Sequence, residues 1–267
     1  MSYTTPSRIN MAAGILIALI LAPVLAVAAS PEFWPSQIKG SDPALTQQWI
    51  ARIDSGLGAL PAELKPAAQF QKTFLRIVSG AKESAWRGEL NGFVAVDKAS
   101  AGDPTKFVTH AIAGVSKAWI ARLEMIEIDK ALRNHYRQQV RFPEKFAQVE
   151  SAIPEAFRRD PWGDPWTYRS RAPEGFSKLA MQRYELGPAR LPNLGTLKQT
   201  IGDRNPVLPE WKITPQTLGS SKTLEFRSGP SVVTIQPGGK VDAFTLLYID
   251  DGWALMAGPD QLFAVTF

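Results

Sequence analysis

The most regular hydrophobic pattern in the chain predicts a long helix over residues 109–136. Ile112, Val115, Trp119 and Leu123 recur at intervals of three and four, which places them along one stripe. Charged residues fall mostly between these positions, so the helix is predicted to be amphipathic and to pack on its own domain. Packing against a helix of another protein is the alternative use of the stripe.

The region before this helix, residues 29–107, is predicted to be partly helical and partly irregular. Apolar residues at helical spacing predict helices over 44–53 and 67–78. The stretch that follows is rich in turn residues, and the apolar run at 92–96 predicts a short strand there. No chemistry is indicated in this region.

After the long helix, a short helical stretch at about 144–151 leads to an Asp-Pro-Trp-Gly-Asp-Pro-Trp run at 160–166. Each proline forces the preceding aspartate out of the helical region, and Gly163 is expected to relieve crowding of the backbone. Trp166 and Tyr168 are two residues apart, so they face one side of a strand. With a second strand predicted over 179–186, a hairpin packed on the long helix would bury these aromatic rings.

The C-terminal part changes to strand patterns. Residues 191–221 are rich in turn residues and predict a linker with little regular structure. Short strands are predicted at 223–227, 233–236, 244–249, 253–257 and 262–267. Their hairpin spacing predicts a small antiparallel sheet or barrel over 222–267. The fold class is therefore α+β: a long amphipathic helix packed on a small antiparallel hairpin, plus a C-terminal all-β module.

The N-terminus has the three parts of a secretory signal peptide. A short region with one charge, Arg8, precedes the apolar residues 15–27, and Ala26-Val27-Ala28 forms a cleavage site. An uncleaved anchor is the alternative, because residues 11–29 carry no charge and approach the length that spans a bilayer. We therefore expect residues 1–28 to place the protein in the periplasm of a bacterium, or on the periplasmic face of its inner membrane through residues 11–29.

Composition excludes several classes of function. The 267 residues contain no cysteine, which rules out disulfides, thiolate catalysis and Cys-ligated metals. Lys and Arg number 30 against 25 Asp and Glu, a net charge of +5 without long runs of like charge. Nucleic-acid binding is accordingly not expected.

The histidines offer no catalytic pair. His110 and His135 lie at opposite ends of the predicted long helix, too far apart to share a site. His135 is expected on the surface, where it complements the helix C-terminus. His110 has no obvious carboxylate partner within one turn.

Two pairs of carboxylates have competing interpretations. Glu124 and Glu127 could form a catalytic or divalent-ion pair, but neighbouring Arg122 and Lys130 favour surface ion pairs. Asp160 and Asp164 precede prolines, which is typical of turns; a general acid/base pair is the alternative. No nucleophile-elbow or zinc-protease motif is present. We predict no enzyme activity, no cofactor and no metal.

Residues 109–187 resemble the globular domain of the major pseudopilins of type II secretion. The resemblance is carried in order by Leu132 and Tyr136 on the helix, Phe142-Pro143, the run from Asp160 to Gly163 with Pro165, Trp166 and Tyr168, and Tyr184-Glu185-Leu186-Gly187. It covers about 80 of the 267 residues. It implies a pseudopilin-like domain over 108–190 that acts through protein contacts.

The chain also departs from that family. About eighty residues separate Ala28 from Thr109, and no prepilin-peptidase pattern precedes the helix, so assembly into a filament is not expected. The family holds calcium through aspartates after its Leu-Gly, whereas residues 188–192 contain no acid here. We expect no calcium site.

Together these features predict an exported, non-enzymatic envelope protein that contacts envelope or secretion-apparatus proteins. The candidate contact residues lie in the aromatic motif: Asp160, Pro161, Trp162, Gly163, Trp166 and Tyr168. Exposure of Trp162 and Trp166 at an interface and their burial under the long helix are both compatible with the sequence. The alternative function is an exported hydrolase or ligand-binding protein whose site is assembled from dispersed residues.

Overall fold

The computed structural model describes Trp34 and residues 43–171, 183–201, 210–218 and 221–267. The predicted leader at 1–28, with the uncharged segment at 11–29, and the predicted strand residues 179–182 lie outside these ranges. Among the helices that the structure describes, none combines the length and apolar character that a bilayer crossing requires.

In the described residues of the N-terminal half there are four α-helices: α1 (Pro43–Gly56), α2 (Lys65–Val78), α3 (Arg87–Ala99) and α4 (Phe107–Gln139). The predicted helices at 44–53, 67–78 and 109–136 are confirmed. At 33 residues, α4 is about 50 Å long. It ends at Val140, whose φ of 57° is left-handed and cannot continue the helix.

The strand predicted at 92–96 is wrong, because these residues lie within α3. Leu90 is fully buried and Phe93 packs against the same core. Residues three apart lie on one face of a helix, and this face contacts the other helices. Val96 is 58% exposed on the outer side. An apolar run of this length does not distinguish a strand from a helix by its periodicity.

Helix α4 connects two hydrophobic cores. Its N-terminal half, with Ile112 and Trp119, packs against Phe70 and Phe74 of α2. Its C-terminal half, with Met125, Ile128 and Leu132, packs on a second cluster around Trp166. Trp166 is thus buried under the long helix, one of the two arrangements compatible with the sequence, whereas Trp162 is only partly buried.

A hairpin covers the C-terminal half of α4. Strands β1 (Thr167–Arg171) and β2 (Arg183–Gly187) are antiparallel, with Thr167 opposite Gly187 and Arg171 opposite Arg183. The short helical stretch predicted at 144–151 forms two 3-10 turns, Phe146–Gln148 and Glu150–Ala152.

The C-terminal part forms two antiparallel sheets in the described residues. The first contains β3 (Lys212–Leu218), β4 (Ser221–Ser228) and β5 (Ser231–Ile235); the second contains β6 (Lys240–Val241), β7 (Phe244–Asp250), β8 (Trp253–Ala257) and β9 (Leu262–Thr266). All five predicted strands are confirmed. The predicted α+β class, with its helix, hairpin and C-terminal β structure, is confirmed with them.

The linker predicted at 191–221 contains regular structure, so that interpretation is wrong. It holds α5 (Leu197–Ile201) and β3, which pairs with β4 along its whole length. β3 is the outer strand of its sheet, so it is mostly exposed, and it contains Pro215. Polar residues and proline are also typical of loops, so its sequence does not indicate a strand.

Strand β8 joins the C-terminal sheet to the helices. All five of its residues are buried. Trp253, Leu255 and Ala257 belong to the helical core, whereas Ala254 and Met256 belong to the core between the two sheets. Because alternate residues point to opposite faces, a strand covered on both sides is apolar throughout.

Candidate functional site

The carboxylate of Asp160 is buried and organises the aromatic motif. Its Oδ1 accepts hydrogen bonds from the backbone N–H of Trp162 at 3.0 Å and of Asp164 at 2.9 Å. Its Oδ2 accepts one from the N–H of Ala189 at 3.1 Å. The predicted turn role of this aspartate is confirmed, and the same side chain also fixes the segment after β2.

Gly163 is required for a different reason from the predicted crowding. No atom lies within 4 Å of the position that a Cβ would take there. Its φ of 89° is instead in the left-handed region, which side chains disfavour.

Asp164 forms an ion pair with Arg190, which follows Ala189 in the segment after β2. Its Oδ2 lies 3.0 Å from Nε of Arg190. This ion pair connects the segment after β2 to the aromatic motif. Within the described ranges, no three His, Asp or Glu side chains come together to hold a metal ion.

The aromatic residues of the motif contribute mainly to the core. Trp166 is 6% exposed, and its indole N–H donates to the carbonyl of Phe157 at 2.9 Å. The hydroxyl of Tyr168 donates to the carbonyl of Pro143 at 2.8 Å. Trp162 is half-buried in the same cluster. Trp166 is therefore internal, and the motif positions the hairpin rather than gathering exposed contact residues.

The predicted surface ion pairing of Glu124 with Arg122 is wrong, because both side chains are buried. Glu127 does form the expected surface pair, with Lys130 at 2.7 Å. Burial raises the pKa of Glu124 to about 8, opposed by the nearby charge of Arg87 and reinforced by that of Asp160. At neutral pH, Glu124 is therefore held mainly as the uncharged acid.

Arg122 connects three parts of the chain. Its guanidinium is fully buried and pairs with the carboxylate of Asp260, in the turn between β8 and β9. Its Nε donates to the carbonyl of Gly195 at 3.0 Å, and its charge lies 4.4 Å from the ring centre of Trp119. Trp119 in turn donates its indole N–H to the carbonyl of Asp260 at 2.8 Å.

His110 has a carboxylate partner that its neighbours in sequence did not reveal. Its Nδ1 pairs with Asp97 at the end of α3, and its Nε2 lies 3.0 Å from the carbonyl oxygen of Asp103. These two bonds raise the pKa of His110, with the Asp97 bond the larger cause. His135 is half-buried rather than fully exposed on the surface, and its Nδ1 donates to the carbonyl of Arg141 at 3.1 Å.

A groove of about 1850 Å³ lies between the C-terminal half of α4, the hairpin and residues 192–199. All five residues of β2 line it, whereas β1 contributes only Thr167, Arg169 and Arg171. Alternate residues of a strand point to opposite faces. The groove therefore meets one face of β1 but runs along the outer edge of β2.

The lining of the groove is strongly basic. Seven cationic residues line it against two acidic ones: Arg122, whose guanidinium is buried, Arg133, Arg137, Arg169, Arg171, Arg183 and Lys198 against Asp129 and Glu185. Both carboxylates are already paired, Asp129 with Arg133 and Glu185 with Arg171. Four cations of the groove have no ion-pair partner among the described residues: Arg137, Arg169, Arg183 and Lys198.

The apolar residues of the lining are here called the floor of the groove. Met125 and Ile126 of α4 contribute to it, and Leu194 and Leu197 contribute from the opposite side. Ile126 is 37% exposed, so this part of the groove is open to solvent. At the edge of this floor, the hydroxyl of Tyr184 donates to Asp129, so the second oxygen of that carboxylate is also occupied.

Neither the aromatic motif nor the histidines indicated the groove. Its lining comes from four separated stretches of sequence, and only the tertiary fold brings them together. Comparison of the chain with protein-family models, with curated proteins and with solved structures finds no match. The basic groove is therefore the observation on which a functional proposal for this chain rests.

Proposed function

We propose that this protein is an exported, non-enzymatic envelope protein that binds another envelope protein, and that the groove holds an acidic segment of that partner. The observation that carries this proposal is the set of four cations without ion-pair partners in the described structure, placed around an apolar floor. Like charges that share a groove repel one another, and an acidic ligand relieves that repulsion.

The size and lining of the groove favour a polypeptide over a small molecule. Its volume of about 1850 Å³ exceeds the range of about 300–1,000 Å³ that is usual for small-molecule sites. An extended segment would place acidic side chains near the arginines and apolar side chains over Ile126. An apolar centre with a charged rim is the usual arrangement of a protein-binding surface.

A nucleic acid fits this lining less well. Binding of single strands relies on aromatic faces that stack on bases. The rings of Tyr136, Phe142 and Tyr184 pack on one another, with centroids 4.8 Å apart in both neighbouring pairs. These rings contact one another within the protein.

The alternative of an exported hydrolase or ligand-binding protein gains no support from the groove. Its two carboxylates are held in ion pairs, and Glu124, whose pKa is raised, is not part of its lining. A secretion or pilus-type apparatus is the setting we propose, on the basis of the pseudopilin resemblance and the predicted export signal.

Site-specific cross-linking in cells tests this proposal. A photoreactive amino acid at Asn193 lies in the groove, and the same group at exposed Thr234 on β5 is the matched control. We expect Asn193 to cross-link to an acidic segment of a secretion-apparatus or other envelope protein, identified by mass spectrometry. Recovery of the bare protein alone, or identical products from both positions, would contradict the proposal.

A further inference from the structure

We infer that the partner's segment binds as an added β-strand along the free edge of β2. This inference rests on the proposed function, and it specifies how the segment is recognised. It is supported by the geometry of the hairpin, by the unpaired backbone edge of β2 and by the different chemistry of the two faces of the hairpin.

The hairpin leaves one edge of β2 without a strand partner. The sheet has two strands in the described structure, so β1 occupies one side of β2 and the other side faces the groove. Apart from the pairing with β1, residues 183–186 make no backbone–backbone hydrogen bond to other described residues. Unpaired strand edges accept an additional strand readily, and proteins usually cover or charge them.

The segment that follows β2 in the sequence covers one end of this edge. A Cβ on Gly187 would lie 2.6 Å from the carbonyl oxygen of Pro192, so the chain passes directly against this glycine. The accessible edge is therefore residues 183–186. At about 3.3 Å per residue, that length accommodates a short extended peptide.

The two faces of the hairpin differ in chemistry. Arg169, Arg171 and Arg183 lie on one face, as the register of the two strands shows. Tyr184 and Leu186 lie on the other face, which packs towards α4 and adjoins Ile126.

A strand added to β2 would present its own side chains alternately to these two faces. The structure therefore specifies a partner segment in which acidic and apolar residues alternate. The acidic residues would lie beside the arginines, and the apolar residues would lie over the floor formed with α4.

Peptide binding to the purified full-length protein tests the side-chain pattern. The probe is a short fluorescent peptide in which glutamate and valine alternate, and its control has the same composition with the glutamates and valines in separate blocks. We expect the alternating peptide to bind about tenfold more tightly or better, measured by anisotropy. Equal affinity of the two peptides would overturn the alternating recognition.

Backbone methylation of the alternating peptide tests the added strand itself. In a strand at the sheet edge, every second amide N–H pairs with the neighbouring strand. N-methylation of alternate amides should therefore abolish binding in one register and leave it nearly unchanged in the other. Because the side chains are the same, charge alone cannot produce that difference.

The outcomes separate the two proposals. If both methylated peptides bind as well as the parent, the added strand is wrong while the acidic-segment proposal stands. If no acidic peptide binds, the groove proposal itself fails. Preferential binding of a single-stranded oligonucleotide over every peptide would overturn both.

Discussion

The guanidinium of Arg122 and the carboxylate of Asp260 form a buried ion pair between residues 138 positions apart in the sequence. The pair joins the middle of α4 to the turn between β8 and β9, and the same arginine fixes the segment at Gly195. The helix, the C-terminal sheet and one wall of the groove therefore share a single charged contact.

Replacement of this arginine should destabilise the whole fold. Arg122→Met leaves the carboxylate of Asp260 largely buried without its cation, which typically costs about 3–5 kcal/mol. Arg133→Met is the matched control, because its ion pair with Asp129 is on the surface of the same helix and is worth no more than about 1 kcal/mol. Urea denaturation measures both. A cost for Arg122→Met as small as that of the control would show that the pair is not a structural link.

Glu124 should make the stability of the protein depend on pH. Since burial raises its pKa to about 8, the folded protein keeps a proton that the unfolded chain releases near its ordinary value of 4.5. Stability therefore falls as pH rises between these values, by up to about 1.4 kcal/mol per pH unit. Glu124→Gln should be more stable than the parent at pH 7.5, by about 4 kcal/mol, and no different at pH 4.

Denaturation at a series of pH values measures this effect. Glu127→Gln, on the exposed side of the same helix, is the control; it loses only a surface ion pair and should cost less than about 1 kcal/mol. A parallel shift of the Glu124→Gln profile at every pH would contradict the buried-acid assignment.

His110 should titrate above its ordinary pKa. Both of its ring nitrogens face acceptors, so the protonated ring satisfies Asp97 and the carbonyl of Asp103 together. The stability that it contributes is complete below pH 6.5 and is lost as pH rises through the higher pKa of the folded state. Asp97→Asn should lower the pKa of His110.

Proton NMR follows this titration directly. The chain has only two histidines, so His135→Gln assigns the signals. An unchanged His110 titration in Asp97→Asn would rule out Asp97 as the main cause.

The two aspartates of the aromatic motif should differ in importance. Asp160→Ala removes three backbone hydrogen bonds from a buried turn, with an expected cost of about 2–4 kcal/mol. Asp164→Ala removes only an exposed pair with Arg190, worth less than about 1 kcal/mol. Amide exchange at Ala189 should accelerate in the first variant and not in the second. Equal costs would mean that the turn does not depend on the Asp160 carboxylate.

Periodicity predicted the elements whose burial leaves a pattern in the sequence. Ile112, Val115 and Trp119 predicted α4, since only one stripe of its N-terminal half is strongly apolar. The predicted bounds of β8 match because all five of its residues are buried and turns lie on both sides. The linker prediction was wrong because β3 is an exposed outer strand, so its side chains carry little hydrophobic signal.

The charged interior could not be predicted in the same way. A charged residue on a helix is usually exposed, yet α4 is covered on several sides around Arg122 and Glu124. Their partners are distant in the sequence: Gly195 is 73 positions from Arg122. The groove could not be predicted from the sequence for the same reason: its unpaired cations come from elements that are distant in the sequence, namely α4, both hairpin strands and α5.

The most direct test of the groove is a charge reversal measured with the alternating glutamate–valine peptide. Arg169→Glu with Arg183→Glu changes two unpaired cations of the groove. Arg141→Glu with Lys145→Glu makes the same change in net charge at exposed positions outside it. Circular dichroism verifies that both variants remain folded.

The groove variant should lose affinity for the peptide by about tenfold or more, whereas the control should stay within about twofold of the parent. The affinity of the parent should also fall as salt is added. Equal losses in the two variants, or no loss in either, would contradict the assignment of this groove as the site that binds an acidic partner.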